Sequence, residues 1–380
     1  MTKVINYFLN IYRLEIDFKA QQLGTAVASS RELQPMINPI LVVGPSWVGD
    51  MVMAQSLFKV LKREQPDVNI DVLAPTWSEG LLQRMPEVRH IFPHSIEHGE
   101  LAWFERRRLG EQLRSQAYQQ AIVLPNSWKS ALIPFWAKIP RRTGYKGEMR
   151  YGLLNDIRQL NKLLMRRTVD RFIALGWPKN DPKIGSQLVP NPRLSPKPVE
   201  DILQRLNLEY PSCPILALCP GAEYGPAKQW QPADYITCAK RKISEGWKVW
   251  LFGSPRDAPL GAKIQALAGE GCVNLCGKTT LPEAVDLLSL VQFVITNDSG
   301  LMHVAAALDR PLIAIYGSSS PSMTPPLSNK AHILYSKLKC SPCYQRTCPK
   351  RHLKCLREIK PEQVLDTLKS YEQEQKIRQL

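Results

Sequence analysis

FVITNDSGLMHVAAALDRPLIAIYG, residues 293–317, sets two short apolar runs on either side of a small-residue segment. FVITND (293–298) and PLIAIYG (311–317) read as strands, and SGLMHVAAAL (299–308) between them reads as a helix. Short apolar strands separated by helices imply a parallel sheet covered on both faces. The same alternation runs upstream, through strands PILALCPG (214–221) and WKVWLFGS (247–254) and helices at 232–246 and 281–290.

The first part of the chain repeats this pattern. ILVVG (40–44), NIDVLAP (69–75), VRHIF (88–92) and AIVLPN (121–126) are strands. MVMAQSLFKVLKRE (51–64), a segment around Glu79–Met85 and the basic stretch Trp103–Gln119 are helices. Between the two series lies PKNDPKIGSQLVPNPRLSPKPVE (178–200), with prolines at 178, 182, 190, 192, 196 and 198. Proline at that density blocks regular structure. The expected organisation is therefore an extension at 1–38, a domain at 39–180, a linker at 181–200, a domain at 201–360 and a helix at 361–380. The fold class is α/β: two Rossmann-like doubly wound domains facing across a cleft, with ligands beyond the carboxyl ends of the strands.

Composition agrees with a folded enzyme-sized chain. Its 380 residues exceed one ordinary core, and 44% apolar with 22% charged is ordinary for a globular protein. A formal charge of +16 favours anionic partners without choosing among them. No apolar run approaches the roughly 20 residues of a membrane span. The N-terminal apolar stretch is broken by Asn10, Arg13, Glu15 and Asp17, unlike a secretory signal, so the chain reads as cytoplasmic. Met36 offers an alternative start, and an amphipathic surface anchor is the other reading of the first 35 residues.

Three glycine-bearing strand-to-helix loops could carry chemistry. GPSWVGD (44–50) brings Gly49 and Asp50 to the start of a helix, where Asp50 either caps the helix or acts as a general base. It lacks the dinucleotide and P-loop glycine patterns. CPGAEYGPAKQW (219–230) sets Lys228 beyond a glycine turn, a position suited to a diphosphate or simply to solvent. TNDSGLMH (296–303) opens a helix with Asp298, Ser299, Gly300 and Leu301, and His303 follows on its first turn. Amides at such a helix start form an anion site, although Asp298 as a cap and His303 as a core residue are the plainer readings. A fourth cluster, Cys340, Cys343, Cys348 and Cys355 with His352, reads as a metal site or as reduced thiols.

PSWVGDMVMAQSL (45–57), VLPNSWKSALIPF (123–135), KGEMRYGLLND (146–156), CPGAEYGPAKQW and TNDSGLMHVAAAL (296–308) together resemble glycosyltransferase family 9, the heptosyltransferases, from Ile40 to the C-terminus. The resemblance implies the GT-B fold and inverting transfer of L-glycero-D-manno-heptose. The implied donor is ADP-heptose. The implied acceptor is the first heptose of a heptosyl-Kdo-lipid A core at the cytoplasmic face of the inner membrane, with peripheral membrane contact and no nucleic acid. It makes Asp50 the base, Lys228 the diphosphate contact, and Gly49, Asp298, Ser299, Gly300, Leu301 and His303 the substrate-binding segments. It implies no cofactor and no metal in the chemistry. Arg141, Arg142, Lys146 and Arg150 are expected to hold the phosphate-rich acceptor, and the final helix to cross back onto the first domain. Other acceptor specificities within the family, an inert sugar-nucleotide-binding protein and a basic nucleic-acid-binding protein are the alternatives.

Overall fold

The computed structural model describes residues 39–379 except 98, 187 and 188, with side chains described through residue 374. The extension at 1–38, with its alternative start and possible anchor, lies outside the described residues.

Six strands form the first sheet: β1 (Ile40–Val43), β2 (Ile70–Pro75), β3 (Val88–His94), β4 (Gln120–Val123), β5 (Arg141–Tyr145) and β6 (Asp156–Arg158). Six more form the second: β7 (Ile215–Cys219), β8 (Lys248–Leu251), β9 (Cys272–Asn274), β10 (Phe293–Asn297), β11 (Leu312–Tyr316) and β12 (Ala331–Tyr335). Both are parallel throughout, in the orders β3-β2-β1-β4-β5-β6 and β12-β11-β10-β7-β8-β9. Counted within its own half, each has the doubly wound order 3-2-1-4-5-6. Each therefore has one switch point, between β1 and β4 and between β7 and β10, where a crevice opens at the strand ends.

The helices that matter for the site are α1 (Val48–Glu64), α2 (Trp103–Leu113), α3 (Thr168–Ala174), α4 (Pro232–Ser244), α5 (Ala258–Ala268), α6 (Leu281–Leu288), α7 (Gly300–Ala307) and α8 (Pro361–Gln379). Among the described residues, no helix is long and apolar enough to cross a membrane. Helix α2 is shorter than the expected 103–119, because a 3-10 turn at Arg114–Gln116 ends with Ala117 at φ +51°. The expected helix at Glu79–Met85 stops at Leu82. Met85 precedes Pro86, whose ring disfavours helical geometry in the residue before it.

The proline-rich stretch is an irregular strap with its backbone put to use. Gln55 and Ser56, polar yet buried on α1, donate to the Arg193 carbonyl (2.6 Å) and the Pro190 carbonyl (2.6 Å). The strap also touches the second half, where Leu194 N–H donates to the Ala307 carbonyl at 3.0 Å. One apolar cluster runs through both halves, from Val42, Met51 and Leu57 to Val294, Met302 and Ala305. A buried ion pair reinforces it: Arg84 Nε donates to Asp286 Oδ1 at 2.7 Å, and a second guanidinium nitrogen pairs with Oδ2.

The final helix departs from expectation. Val364 and Leu368 are buried in the core of the second half, and Tyr371 packs edge-on against Phe293. Lys242 of α4 reaches Glu372 at 2.6 Å. The described part of α8 thus covers the second sheet instead of crossing to the first, because its thin apolar stripe is satisfied there.

Candidate active site

The first turns of α1 and α7 pack against each other, so the carboxyl ends of the two sheets meet. A Cβ placed on Gly49 would lie 2.6 Å from Cδ2 of His303, and one on Gly300 would lie 2.7 Å from Cβ of Val48. Each glycine therefore admits a side chain of the opposite helix. These two close approaches bring the residues of the three loops to one place.

Asp50 is the third residue of α1, and the N-cap is Trp47, whose side chain makes no capping bond. The helix-cap reading of Asp50 therefore does not hold. Its carboxyl is pushed up to about 6, first by burial, with Lys228 opposing and Asp298 adding to the rise. Among the described residues, its surroundings supply charge and low polarity but no side-chain donor.

Lys228 and Asp298 form an ion pair across the second switch point, Nζ to Oδ2 at 2.6 Å, with side-chain exposures of 17% and 5%. Lys228 is therefore not a solvated surface lysine, and its ammonium also lies 5.1 Å above the Tyr224 ring. The parallel register pairs Thr296 with Cys219, which sets the Lys228 loop beside the Asp298 turn. Asn297 joins them. Its Oδ1 accepts from Trp230 N–H (2.9 Å) and the Tyr235 hydroxyl (3.0 Å), and its Nδ2 donates to the Pro220 carbonyl (2.7 Å). Sequence reading passed over Asn297. Its place at the buried end of a core strand was the available signal, since a buried amide there must find partners.

Ser299 is the N-cap of α7, again with no side-chain capping bond, and its Oγ lies 3.4 Å from Thr296 Oγ1. The leading amides of α7 thus lack a side-chain cap, and Leu301 is half-buried beside them. His303 is buried against Gly49. Burial holds its imidazole down at about 4, with Asp298 opposing and Lys228 adding to the drop, so it is neutral at pH 7. All eight residues singled out from sequence therefore belong to one neighbourhood of α1, α7 and the Lys228 loop.

The family model for glycosyltransferase family 9 (heptosyltransferase) matches residues 106–354. The chain belongs to glycosyltransferase family 9. It is 48% identical over 345 residues to lipopolysaccharide heptosyltransferase 2 of Salmonella typhimurium, covering 87% of this chain and 97% of that protein. It is 50% identical over 305 residues to lipooligosaccharide heptosyltransferase 2 of Haemophilus influenzae, covering 78% and 88%. The solved structure of E. coli ADP-heptose LPS heptosyltransferase II superposes with a TM-score of 0.78 at 44% identity, covering 87% of this chain and 98% of that one. The fold is accordingly GT-B.

Within this family 9 enzyme, the basic stretch expected to meet the acceptor is partly spent on structure. Arg150 is buried, and its guanidinium donates to the carbonyls of Pro125 (2.7 Å) and Tyr145 (2.7 Å) and to Asn126 Oδ1 (2.8 Å). Arg142 donates to the carbonyls of Leu153 (2.7 Å) and Ile139 (2.6 Å). Arg142 and Arg150 are therefore corrected to scaffold residues. Arg141 and Lys146 remain exposed, the former paired with Asp156 at 3.1 Å. All four cysteines of the 340–355 loop carry free thiols. Among the described residues, no group of three or more His, Cys, Asp or Glu is arranged to hold a metal ion.

Proposed function

We propose that this glycosyltransferase moves L-glycero-D-manno-heptose from ADP-heptose to the first heptose of a heptosyl-Kdo-lipid A core, with inversion at the anomeric carbon. The relatives named heptosyltransferase 2 and the similar solved ADP-heptose LPS heptosyltransferase II support an ADP-heptose donor and a lipopolysaccharide acceptor. The observation that carries the mechanism is Asp50, a carboxylate poised near pH 6 on one half, within electrostatic reach of the Lys228–Asp298 pair on the other.

In this reading the donor lies on the second half. Its diphosphate sits between the Lys228 ammonium and the amides at Ser299, Gly300 and Leu301. Asp298 holds Lys228 in place, and neutral His303 packs the two halves together at Gly49. The acceptor oxygen attacks the anomeric carbon on the face opposite ADP. The bond from that carbon to the diphosphate breaks, the departing charge falls to the cation and amides, and Asp50 takes the acceptor proton. A base with a pKa near 6 is ionised at pH 7 yet stronger than an ordinary carboxylate.

The first half also suits an acceptor anchored in a membrane. Leu163 and Leu164, 78% and 56% exposed, sit between exposed Lys162 and Arg166, and Phe104 on α2 is 85% exposed beside Arg107 and Arg108. Apolar side chains flanked by cations favour an anionic lipid interface. This supports a peripheral position at the cytoplasmic face of the inner membrane.

The test is incubation with ADP-heptose and a monoheptosylated core acceptor, read by mass for one added heptose. Asp50→Ala should remove turnover while ADP still binds. Near-normal turnover in that variant would refute the base assignment.

A further inference from the structure

Beside Lys228 lies a cavity of about 180 Å³, walled by Tyr224, Tyr344, Met323 and the serines that follow β11. That is the space of about six waters, the size class of a single sugar ring. One hydroxyl at this wall is not accounted for. Ser319 is 5% exposed, and its Oγ has no hydrogen-bond partner; the same holds for Ser318 just before it in the chain. A buried hydroxyl without a partner is a standing cost that a ligand can relieve. Ser320 differs, since its Oγ lies 2.8 Å from Ser322 Oγ.

The wall is built deliberately by the cysteine-bearing loop. Tyr344 N–H donates to the Ser318 carbonyl at 2.7 Å, and the Arg346 carbonyl accepts from Ala227 N–H at 3.0 Å. The Tyr224 hydroxyl donates to the Tyr344 carbonyl at 2.7 Å. These bonds fix two aromatic rings and the serine turn around the Lys228 ammonium. The chemistry of the walls is that of a sugar site. Flat aromatic faces accept the apolar face of a pyranose, and a few hydroxyls set its orientation. Lys228, the one cation lining the cavity among the described residues, is already assigned to the donor diphosphate, which leaves the aromatic and hydroxyl walls to a neutral group.

We propose that this cavity is the subsite for the glycosyl group of the sugar-nucleotide donor, with Ser319 as a specificity residue whose hydroxyl turns about χ1 to bond a sugar hydroxyl and Tyr344 as the stacking face. The assignment rests on the sugar-nucleotide reading above. The serine turn and the cysteine-bearing loop that wall the cavity lie outside the three loops already assigned.

The experiment is calorimetric titration of wild type, Ser319→Ala and Tyr344→Ala with ADP-heptose and, separately, with ADP. Wild type should bind ADP-heptose more tightly than ADP. In Ser319→Ala the dissociation constant for ADP-heptose should rise about 5- to 10-fold, the worth of one neutral hydrogen bond, while that for ADP stays within about twofold. The melting temperature of the unliganded variant should not fall, because the hydroxyl removed had no partner. Tyr344, 46% exposed, can be truncated without a core cavity and should show the same ligand selectivity. Equal loss of both ligands would overturn the subsite by moving these residues to the diphosphate. Unchanged ADP-heptose binding in both variants, with wild type binding it well, would overturn the subsite alone. Failure of wild type to bind either nucleotide would overturn the donor reading and the subsite with it.

Discussion

Asp50 carries a proton to higher pH than an ordinary aspartate, and this has two separable consequences. The first is catalytic. With Asp50 as the proposed base and its pKa at about 6, the ionised form is lost below that pH, so kcat/KM for transfer should fall about tenfold per pH unit on the acid side of 6. The pH profile of wild type checks this, and an acid limb near 4 would contradict it. The second is thermodynamic. A carboxyl whose folded pKa is raised favours folding below its unfolded value of 3.8 and loses that contribution as pH rises through about 6. Asp50→Asn should therefore leave stability almost unchanged at pH 4 and raise it at pH 7 and above. The gain is on the order of 1–2 kcal/mol once partial solvent access is allowed for. Urea melts of both proteins at the two pH values measure it. A variant less stable than wild type at pH 8 would show that the burial of this carboxylate is not the dominant effect. His303 acts in the opposite sense. Its depressed pKa of about 4 favours folding above its ordinary value of 6.5 and is lost as pH falls toward 4, which is why the comparison must use the Asp50 variant and not wild type alone.

The crossing of α1 and α7 is the element on which the site depends, and it is tight enough to be tested by one methyl group. Gly49→Ala places a Cβ against the His303 ring and should cost about 1–3 kcal/mol of stability. In a His303→Ala background the same change should cost little, so the double-mutant cycle should return a coupling of about 1 kcal/mol or more. Additive effects would show that the ring yields freely. This contact also explains what the amino-acid sequence disclosed and what it withheld. The strands β1, β2, β4, β7, β8, β10 and β11 were legible because parallel strands buried on both faces are continuous apolar runs. Strands β5 (RRTGY) and β6 (DIR) were not. Beside their backbone ladder they carry a polar network, with Asp156 accepting from Arg141 (3.1 Å) and Thr143 (3.0 Å) across the strands and from Arg158 (2.7 Å) within its own, and no periodicity announces such a network. The site loops were legible as glycine turns after strands. That Gly49 serves to admit His303, and that Asn297 ties the Lys228 loop to β10, follow from contacts between segments far apart in the chain and so had no local signature.

At the scale of the molecule, the two halves are joined by more than a linker, and the charge at that junction is where their association can be measured. Arg84 and Asp286, 5% and 2% exposed, come from opposite halves, and Lys197 N–H of the strap adds a bond to Asp286 Oδ1 at 2.8 Å. The Arg84 guanidinium also donates to the Gly80 carbonyl at 2.6 Å, so each of its three nitrogens has a partner. A buried pair so arranged contributes little relative to apolar residues of the same size, but losing one member strands the other charge. Arg84→Ala should therefore cost about 3–5 kcal/mol in urea unfolding. Asp286 would be left buried with only backbone partners. Replacing both, as Arg84→Met with Asp286→Leu, should recover most of that loss, because the apolar pair joins a cluster that already runs through both halves. The functional outcome separates register from stability. If the pair sets how the halves meet, the double variant will be stable yet slow, because the proposed mechanism needs Asp50 and the Lys228–Asp298 pair held in one geometry. If the apolar cluster alone sets that geometry, the double variant will transfer heptose at the wild-type rate. An Arg84→Ala protein as stable as wild type would show that the junction opens to water while the apolar cluster, the strap and the α1–α7 contact continue to join the halves.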